Sequence, residues 1–209
     1  MIAIVDYNAG NIRSVQRAFE YAGADCLITS SPDEILSADG VILPGVGAFR
    51  DCFGNLEQRG LDRVVCQCIG KGMPFLGICL GFQMLFEYSE ENGTDGGLVK
   101  GMGVFKGAVR RFPPGMGLKV PQIGWNSLDR ARDCVLFDGL PTKPYVYFVH
   151  SYYVDAKDRS LVAARSQYGL LFDAAIARDR IFAVQFHPEK SGDVGIMIIK
   201  NFLKVVYGV

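Results

Sequence analysis

Cys79 stands between two glycines in Gly77-Ile78-Cys79-Leu80-Gly81, after the apolar run Met73-Pro74-Phe75-Leu76 and before the helix-like Phe82-Gln83-Met84-Leu85-Phe86-Glu87-Tyr88. A nucleophilic side chain flanked by glycines, where a strand turns sharply into a helix, forms a nucleophile elbow. Such a turn forces unusual backbone angles, and the glycines remove the Cβ clashes it would otherwise create. The sulfur is then expected to project clear of a sheet, against the positive end of the following helix, which favours the thiolate. Taken alone, the pentapeptide also fits a buried structural cysteine beside a Gly-rich βα turn.

The chain holds only two histidines. One lies in Phe182-Ala183-Val184-Gln185-Phe186-His187-Pro188-Glu189, where alternating apolar residues predict a strand that stops at Pro188. His187 would stand at the C-terminal end of that strand, and in open α/β sheets such ends border the ligand crevice. Glu189, two residues on, can reach the far imidazole nitrogen, fix its tautomer and support the imidazolium. A strand-end histidine without these companions is usually a bystander. With the elbow and the carboxylate, Cys79, His187 and Glu189 make a candidate acyl-transfer triad.

A tetrahedral intermediate on Cys79 needs hydrogen-bond donors where the carbonyl oxygen becomes an anion. The amide of Leu80, next after the nucleophile, is one candidate. Val41-Ile42-Leu43-Pro44-Gly45-Val46-Gly47-Ala48-Phe49 reads as a buried strand ending in a Gly-rich loop, so an amide of Gly45, Val46 or Gly47 is the natural second. The loop also fits an ordinary βα turn or a phosphate cradle, although the Gly-Lys-Ser/Thr ending of a phosphate loop is absent.

The elements that must position these groups alternate through the first half: strands at 2–5, 26–29, 41–43 and 75–78, with helical spacing at 12–21 and 54–69. This rhythm argues for a parallel sheet with helices on both faces. From about residue 104, shorter strands with turns follow at 104–110, 120–125, 145–153, 160–165, 170–178 and 180–186, mainly as antiparallel neighbours, with a tight hairpin at Asp179-Arg180. A helix over 193–207 closes the chain, with Val194, Ile198, Phe202 and Val205 on one face. The 209 residues suit one α/β domain, 1–209, and the 49% hydrophobic content a well-filled core.

Twenty-two basic residues balance twenty-two acidic ones, so no global field points to nucleic acid or an anionic membrane. The six cysteines are scattered, and Met1–Val5 reads as a first strand instead of a signal segment, which together suggest a reducing cytoplasm. Cys66-x-Cys68 lacks a second pair or a nearby histidine, so no metal is expected. No apolar run is long enough to span a bilayer.

On these motifs the chain resembles the class I (triad) glutamine amidotransferases, which carry an elbow G-x-C-x-G-x-Q, an upstream P-G-x-G loop and a downstream H-P-E. Asp6-Tyr7-Asn8-Ala9-Gly10-Asn11, Pro44-Gly45-Val46-Gly47-Ala48-Phe49, Gly124-Trp125-Asn126, Phe148-Val149-His150-Ser151-Tyr152-Tyr153 and His187-Pro188-Glu189-Lys190-Ser191 narrow the resemblance to the branch that serves histidine biosynthesis. Branches serving anthranilate or GMP synthesis typically carry P-G-G-P instead. Phe82 stands where Met is common.

The resemblance implies a flavodoxin-like parallel or mixed central sheet flanked by helices, with extra antiparallel strands in the C-terminal half. It implies that Cys79 attacks the side-chain amide of glutamine and that His187 acts as base and then as acid. Gly47, Gln83, Glu91, His150, Ser151 and Tyr152 would border the bound glutamine, and Gln83 is also placed there by lying one helical turn past Cys79. It further implies no cofactor and a heterodimer with a (β/α)8-barrel cyclase subunit. That partner would cover the mouth, take the ammonia and activate the glutaminase through the oxyanion loop. Trp125, the single tryptophan, and Asn126, in a Gly-Trp-Asn turn, are the expected contacts. Two rivals remain: a sister amidotransferase with a different acceptor, and a flavodoxin-like protein in which Cys79 senses oxidants.

Overall fold

The computed structural model describes residues 1–8, 10–91 and 97–208. Ala9 of the first loop motif and Asn92-Gly93 of the loop after Glu91 lie outside them. The first half alternates β1 (Ile2–Val5), α1 (Ile12–Tyr21), β2 (Cys26–Thr29), α2 (Pro32–Ser37), β3 (Gly40–Leu43), α3 (Phe49–Gln58), α4 (Leu61–Gly70), β4 (Phe75–Ile78) and α5 (Leu80–Gln83). Strands then dominate: β5 (Phe86–Ser89), β6 (Val99–Lys100), β7 (Phe105–Arg111), β8 (Gln122–Ser127), β9 (Asp129–Arg130), β10 (Tyr145–His150), β11 (Tyr152–Ala156), β12 (Val162–Tyr168), β13 (Leu170–Arg178) and β14 (Ile181–Val184). Helix α6 (Gly192–Tyr207) closes the chain.

Among the described residues a 12-stranded sheet runs β2-β1-β3-β4-β14-β13-β11-β7-β5-β6, with β12 on β13 and β9 on β12. Strands β2, β1, β3, β4 and β14 are parallel. Beyond β14, the neighbours β13, β11 and β7 are antiparallel. Strands β8 and β10 form a separate two-stranded sheet.

Every residue of β1, β3, β4 and β14 is buried, because helices cover both faces and the strands read as continuous apolar runs. Alternation along each strand sorts the side chains. Ala3, Val5, Val41, Leu43, Phe75 and Ala183 pack with Phe49, Phe53 and Leu56 of α3 and Val65 of α4. Ile2, Ile4, Ile42, Leu76, Phe182 and Val184 pack on the other face with Val15 and Phe19 of α1 and Ile198 and Phe202 of α6. Phe202 meets Phe19 and Phe182 edge-on, with centroids 6.2 and 6.3 Å apart; full burial of such side chains stabilises by roughly 1.5–3 kcal/mol each.

Several boundaries differ from those the sequence predicts. The helix expected over 54–69 is two helices, broken at Arg59-Gly60, where Gly60 takes the left-handed φ of 67°. The helix-like stretch after the elbow ends at Gln83, and Phe86–Ser89 is a strand paired with β7, since short apolar runs carry too little periodicity to separate the two states. Residues 145–153 are two strands in different sheets, parted at Ser151. The strand at 160–165 begins later, at Val162, after a 3-10 turn. Trp125 lies within strand β8 and not in a turn. Strand β14 ends at Val184, so His187 sits three residues beyond it. The Asp179-Arg180 hairpin is present, with Arg178 opposite Ile181.

The parallel strands β1, β3, β4 and β14 deliver their C-terminal ends to one edge of the sheet. The segments that follow Val5, Leu43, Ile78 and Val184 therefore converge there.

Candidate active site

Cys79 leaves β4 with φ 54° and ψ −107°, a conformation that a residue other than glycine holds only when its surroundings impose it. The imposing contact is the elbow's approach to β3: a Cβ on Gly81 would stand 1.9 Å from the Leu43 carbonyl oxygen. The Cys79 N–H donates to the Val184 carbonyl at 2.8 Å, tying the elbow to β14. Helix α5 is a single turn, so the dipole expected to favour the thiolate shrinks to a few peptide units.

The group that meets the sulfur is His187. Its backbone is pinned on both sides: its N–H donates to the Tyr147 carbonyl at 2.9 Å, and its carbonyl accepts from Ser191 Oγ at 2.7 Å. The turn Pro188–Lys190 folds Glu189 back, placing its Oε1 2.8 Å from His187 Nδ1. Both side chains are 1% exposed. Asn11 Nδ2 donates to the same carboxylate oxygen at 2.9 Å. His187 Nε2 is buried without a hydrogen-bond partner among the described residues and borders the same cavity as Cys79. Burial opposes a charged ring, but Cys79 and then Glu189 outweigh it and push the His187 pKa up to about 10. At neutral pH His187 therefore rests as the imidazolium.

A cavity of about 220 Å³ opens on this pair, and Gly47, Gln83, Glu91, His150, Ser151 and Tyr152 all line it with Cys79 and His187. Every residue expected at a bound glutamine is thus brought to one cavity. Glu91, whose register sequence alone left open, accepts from the Phe49 N–H at 3.0 Å at the start of α3, and burial raises its pKa.

The candidate oxyanion donors do not all face the cavity. Val46, Gly47 and Leu80 border the cavity and Gly45 does not. The Leu80 N–H is engaged, donating to the Gly45 carbonyl at 3.3 Å. The Val46 carbonyl accepts from the Cys52 thiol at 3.3 Å. Burial, Asp51 and Glu91 push that thiol up to about 11, so it keeps the proton it donates.

Residues that sequence reasoning did not assign complete the site. Tyr7 donates its hydroxyl to the Pro44 carbonyl at 2.7 Å, and Asn11 orients Glu189. Both sit in the 6–11 motif, whose resemblance was evident but whose contacts are not encoded in spacing. Gln122 and Gln185 lie beside His150 and Cys79, with no local pattern to mark them.

His150 Nδ1 lies 2.8 Å from the Tyr152 carbonyl, which only accepts, so Nδ1 carries the proton. Burial, partly opposed by that hydrogen bond, lowers its pKa to about 4, and the neighbouring His187 charge adds to the lowering. Gln122 Oε1 lies 3.0 Å from Nε2; the neutral ring needs a donor there, which the Gln122 amide supplies once its oxygen and nitrogen, assigned from the hydrogen-bond network, are exchanged. A folded pKa below the unfolded value near 6.5 means that the unfolded chain binds a proton the native state refuses. Stability is then intact above about pH 6.5 and falls as pH drops toward 4, by about 3 kcal/mol from this group. Urea midpoints followed over that range should decline less steeply for His150→Asn than for the wild type; parallel slopes would exclude the assignment.

The family model Glutamine amidotransferase class-I matches residues 3–206. The imidazole glycerol phosphate synthase subunit HisH of Thermosynechococcus vestitus is 52% identical over 207 residues, covering 98% of this chain and 97% of that protein. The subunit of the same name from Desulfitobacterium hafniense is 45% identical over 206 residues, 99% and 95% of the two chains. Among solved structures, a glutamine amidotransferase superposes with TM-score 0.75 at 18% identity over 100% of both chains. The PurLQS structure from Thermotoga maritima gives 0.75 at 19%, over 97% of both chains. At such identities these two structures speak to the fold.

Proposed function

This chain belongs to the class-I glutamine amidotransferase family, and we propose that it is the glutaminase subunit of an imidazole glycerol phosphate synthase, one amidotransferase domain over 1–209. The observation that carries this reading is the single cavity in which Cys79 and His187 face six residues suited to hold glutamine. The paired His187 and Glu189 have no task in an oxidant sensor, and family membership sets that rival aside. Full-length identity to synthase subunits favours this acceptor over a sister enzyme's.

In the proposed reaction the Cys79 thiolate attacks the side-chain amide carbon of glutamine. His187, already protonated, gives its proton to the departing ammonia, then serves as base for the water that cleaves the glutamyl thioester. Glu189, held by Asn11, keeps the imidazole oriented. Glu91, the one carboxylate on the cavity wall among the described residues, meets the substrate ammonium group. The Leu80 N–H can stabilise the oxyanion only after it leaves the Gly45 carbonyl. A partner that activates this subunit would act by moving the 45–47 loop.

The partner we assign is a (β/α)8-barrel cyclase, in a heterodimer within the cytoplasm. Supporting it is the outer face of the β8–β10 sheet, where Ile123 pairs with Val149, Trp125 with Tyr147 and Ser127 with Tyr145. Ile123, Trp125 and Tyr145 are each more than half exposed, and Val149 reaches the cavity wall. Apolar and aromatic groups at the mouth are the anchors expected where ammonia must pass without meeting water. Asn126, by contrast, donates to the Gln167 carbonyl at 2.9 Å, so Trp125 is the stronger anchor. Trp125→Ala should weaken cyclase binding about tenfold or more while glutamine hydrolysis rises less on cyclase addition. Unchanged titration and stimulation would remove this face as the interface.

A further inference from the structure

Gln185 is fully buried beside the nucleophile, and the reaction above gives it no task. Its Nε2 lies 3.7 Å from Cys79 Sγ, and its Oε1 lies 3.0 Å from Gln83 Nε2. Gln83 Nε2 also lies 3.0 Å from the Tyr152 backbone carbonyl. That carbonyl can only accept, so the Gln83 atom beside it must be nitrogen. The same nitrogen gives its second N–H to Gln185, so the Gln185 atom facing it is the oxygen. The other end of the Gln185 amide, its NH2, is left facing the sulfur. One backbone carbonyl thereby fixes both amide orientations, which are otherwise assigned from the hydrogen-bond network.

We propose that Gln185 belongs to the acyl-transfer site: its NH2 donates to the Cys79 sulfur and holds the thiolate, while its carbonyl locks Gln83 with the Gln83 oxygen left for the substrate. The proposal rests on Cys79 being the nucleophile. A donor to a charged atom favours the charged form, and here it acts from the β14 side, independently of the His187 charge. With both Gln83 N–H bonds committed to the wall, Gln83 can only accept from a ligand, which fits a substrate rich in N–H groups.

Alkylation of Cys79 by iodoacetamide, read on its peptide by mass spectrometry over about pH 5 to 10, tests this on the full chain. In Gln185→Met the length is kept and the donor removed. The midpoint of the alkylation profile should rise by about one unit, with roughly tenfold slower labelling below it. An unshifted profile in a variant that melts as the wild type does overturns the proposal. Should the variant not fold, the wild type decides: the Gln185 side-chain amide resonances should titrate with the Cys79 alkylation midpoint, and resonances flat through that range overturn it. Neither readout uses glutamine, so both stand apart from whether the wild-type complex hydrolyses glutamine.

Discussion

Cys79→Ala is expected to end glutamine hydrolysis while leaving the domain folded. Loss of a triad nucleophile commonly costs several orders of magnitude in turnover, with only the residual effect of binding and oxyanion donors left. The fold should survive because alanine keeps the Cβ that the elbow already accommodates at φ 54°, and Cys79 borders the cavity, so only one atom of packing is lost. The measurement is glutamate release by the complex with its cyclase, alongside cyclisation driven by free ammonium. Glutamate release should vanish and ammonium-driven cyclisation persist, since the second reaction belongs to the partner. Undiminished glutamate release from the purified variant would falsify the nucleophile assignment.

His187→Asn should stop thioester formation, with a loss of about a thousandfold or more, whereas His150→Ala should act mainly on glutamine affinity. The structure separates the two sharply. His187 faces the sulfur, is backed by Glu189 and holds a proton at neutral pH. His150 is kept neutral and has its Nδ1 committed to the Tyr152 carbonyl, so it has no proton to give to ammonia. Rapid-quench trapping of the glutamyl enzyme distinguishes them. A normal burst in His187→Asn, or its loss in His150→Ala with glutamine saturating, would exchange their roles.

The elbow was legible in sequence because its constraint is local: glycines bracket the nucleophile, and Gly81 has to let Leu43 approach. Glu189 was legible because two residues of chain cannot carry it out of reach of His187. Asn11 was not, because it meets Glu189 across 178 positions and nothing in its neighbourhood points that way. Residues 82–88 misled because Phe82, Met84, Leu85 and Phe86 are buried whether they belong to a helix or a strand. Residues 145–153 misled for a related reason: alternation predicts strand, but not that Tyr145–His150 pairs with β8 and Tyr152–Ala156 with β7. The Leu80 amide is a candidate donor from its position alone, while its present acceptor depends on where the loop after β3 comes to rest.

With the Leu80 amide as the proposed oxyanion donor, that acceptor would set the idle speed of the subunit. A neutral hydrogen bond such as the 3.3 Å Leu80–Gly45 contact contributes about 0.5–1.5 kcal/mol, so thermal opening frees the donor for roughly a tenth to a third of the time. On that proposal this bond alone would restrain wasteful glutamine consumption by about tenfold at most. A subunit that stays much quieter than that between encounters with its partner must draw the remainder from the other side of the loop, where the Cys52 thiol holds the Val46 carbonyl.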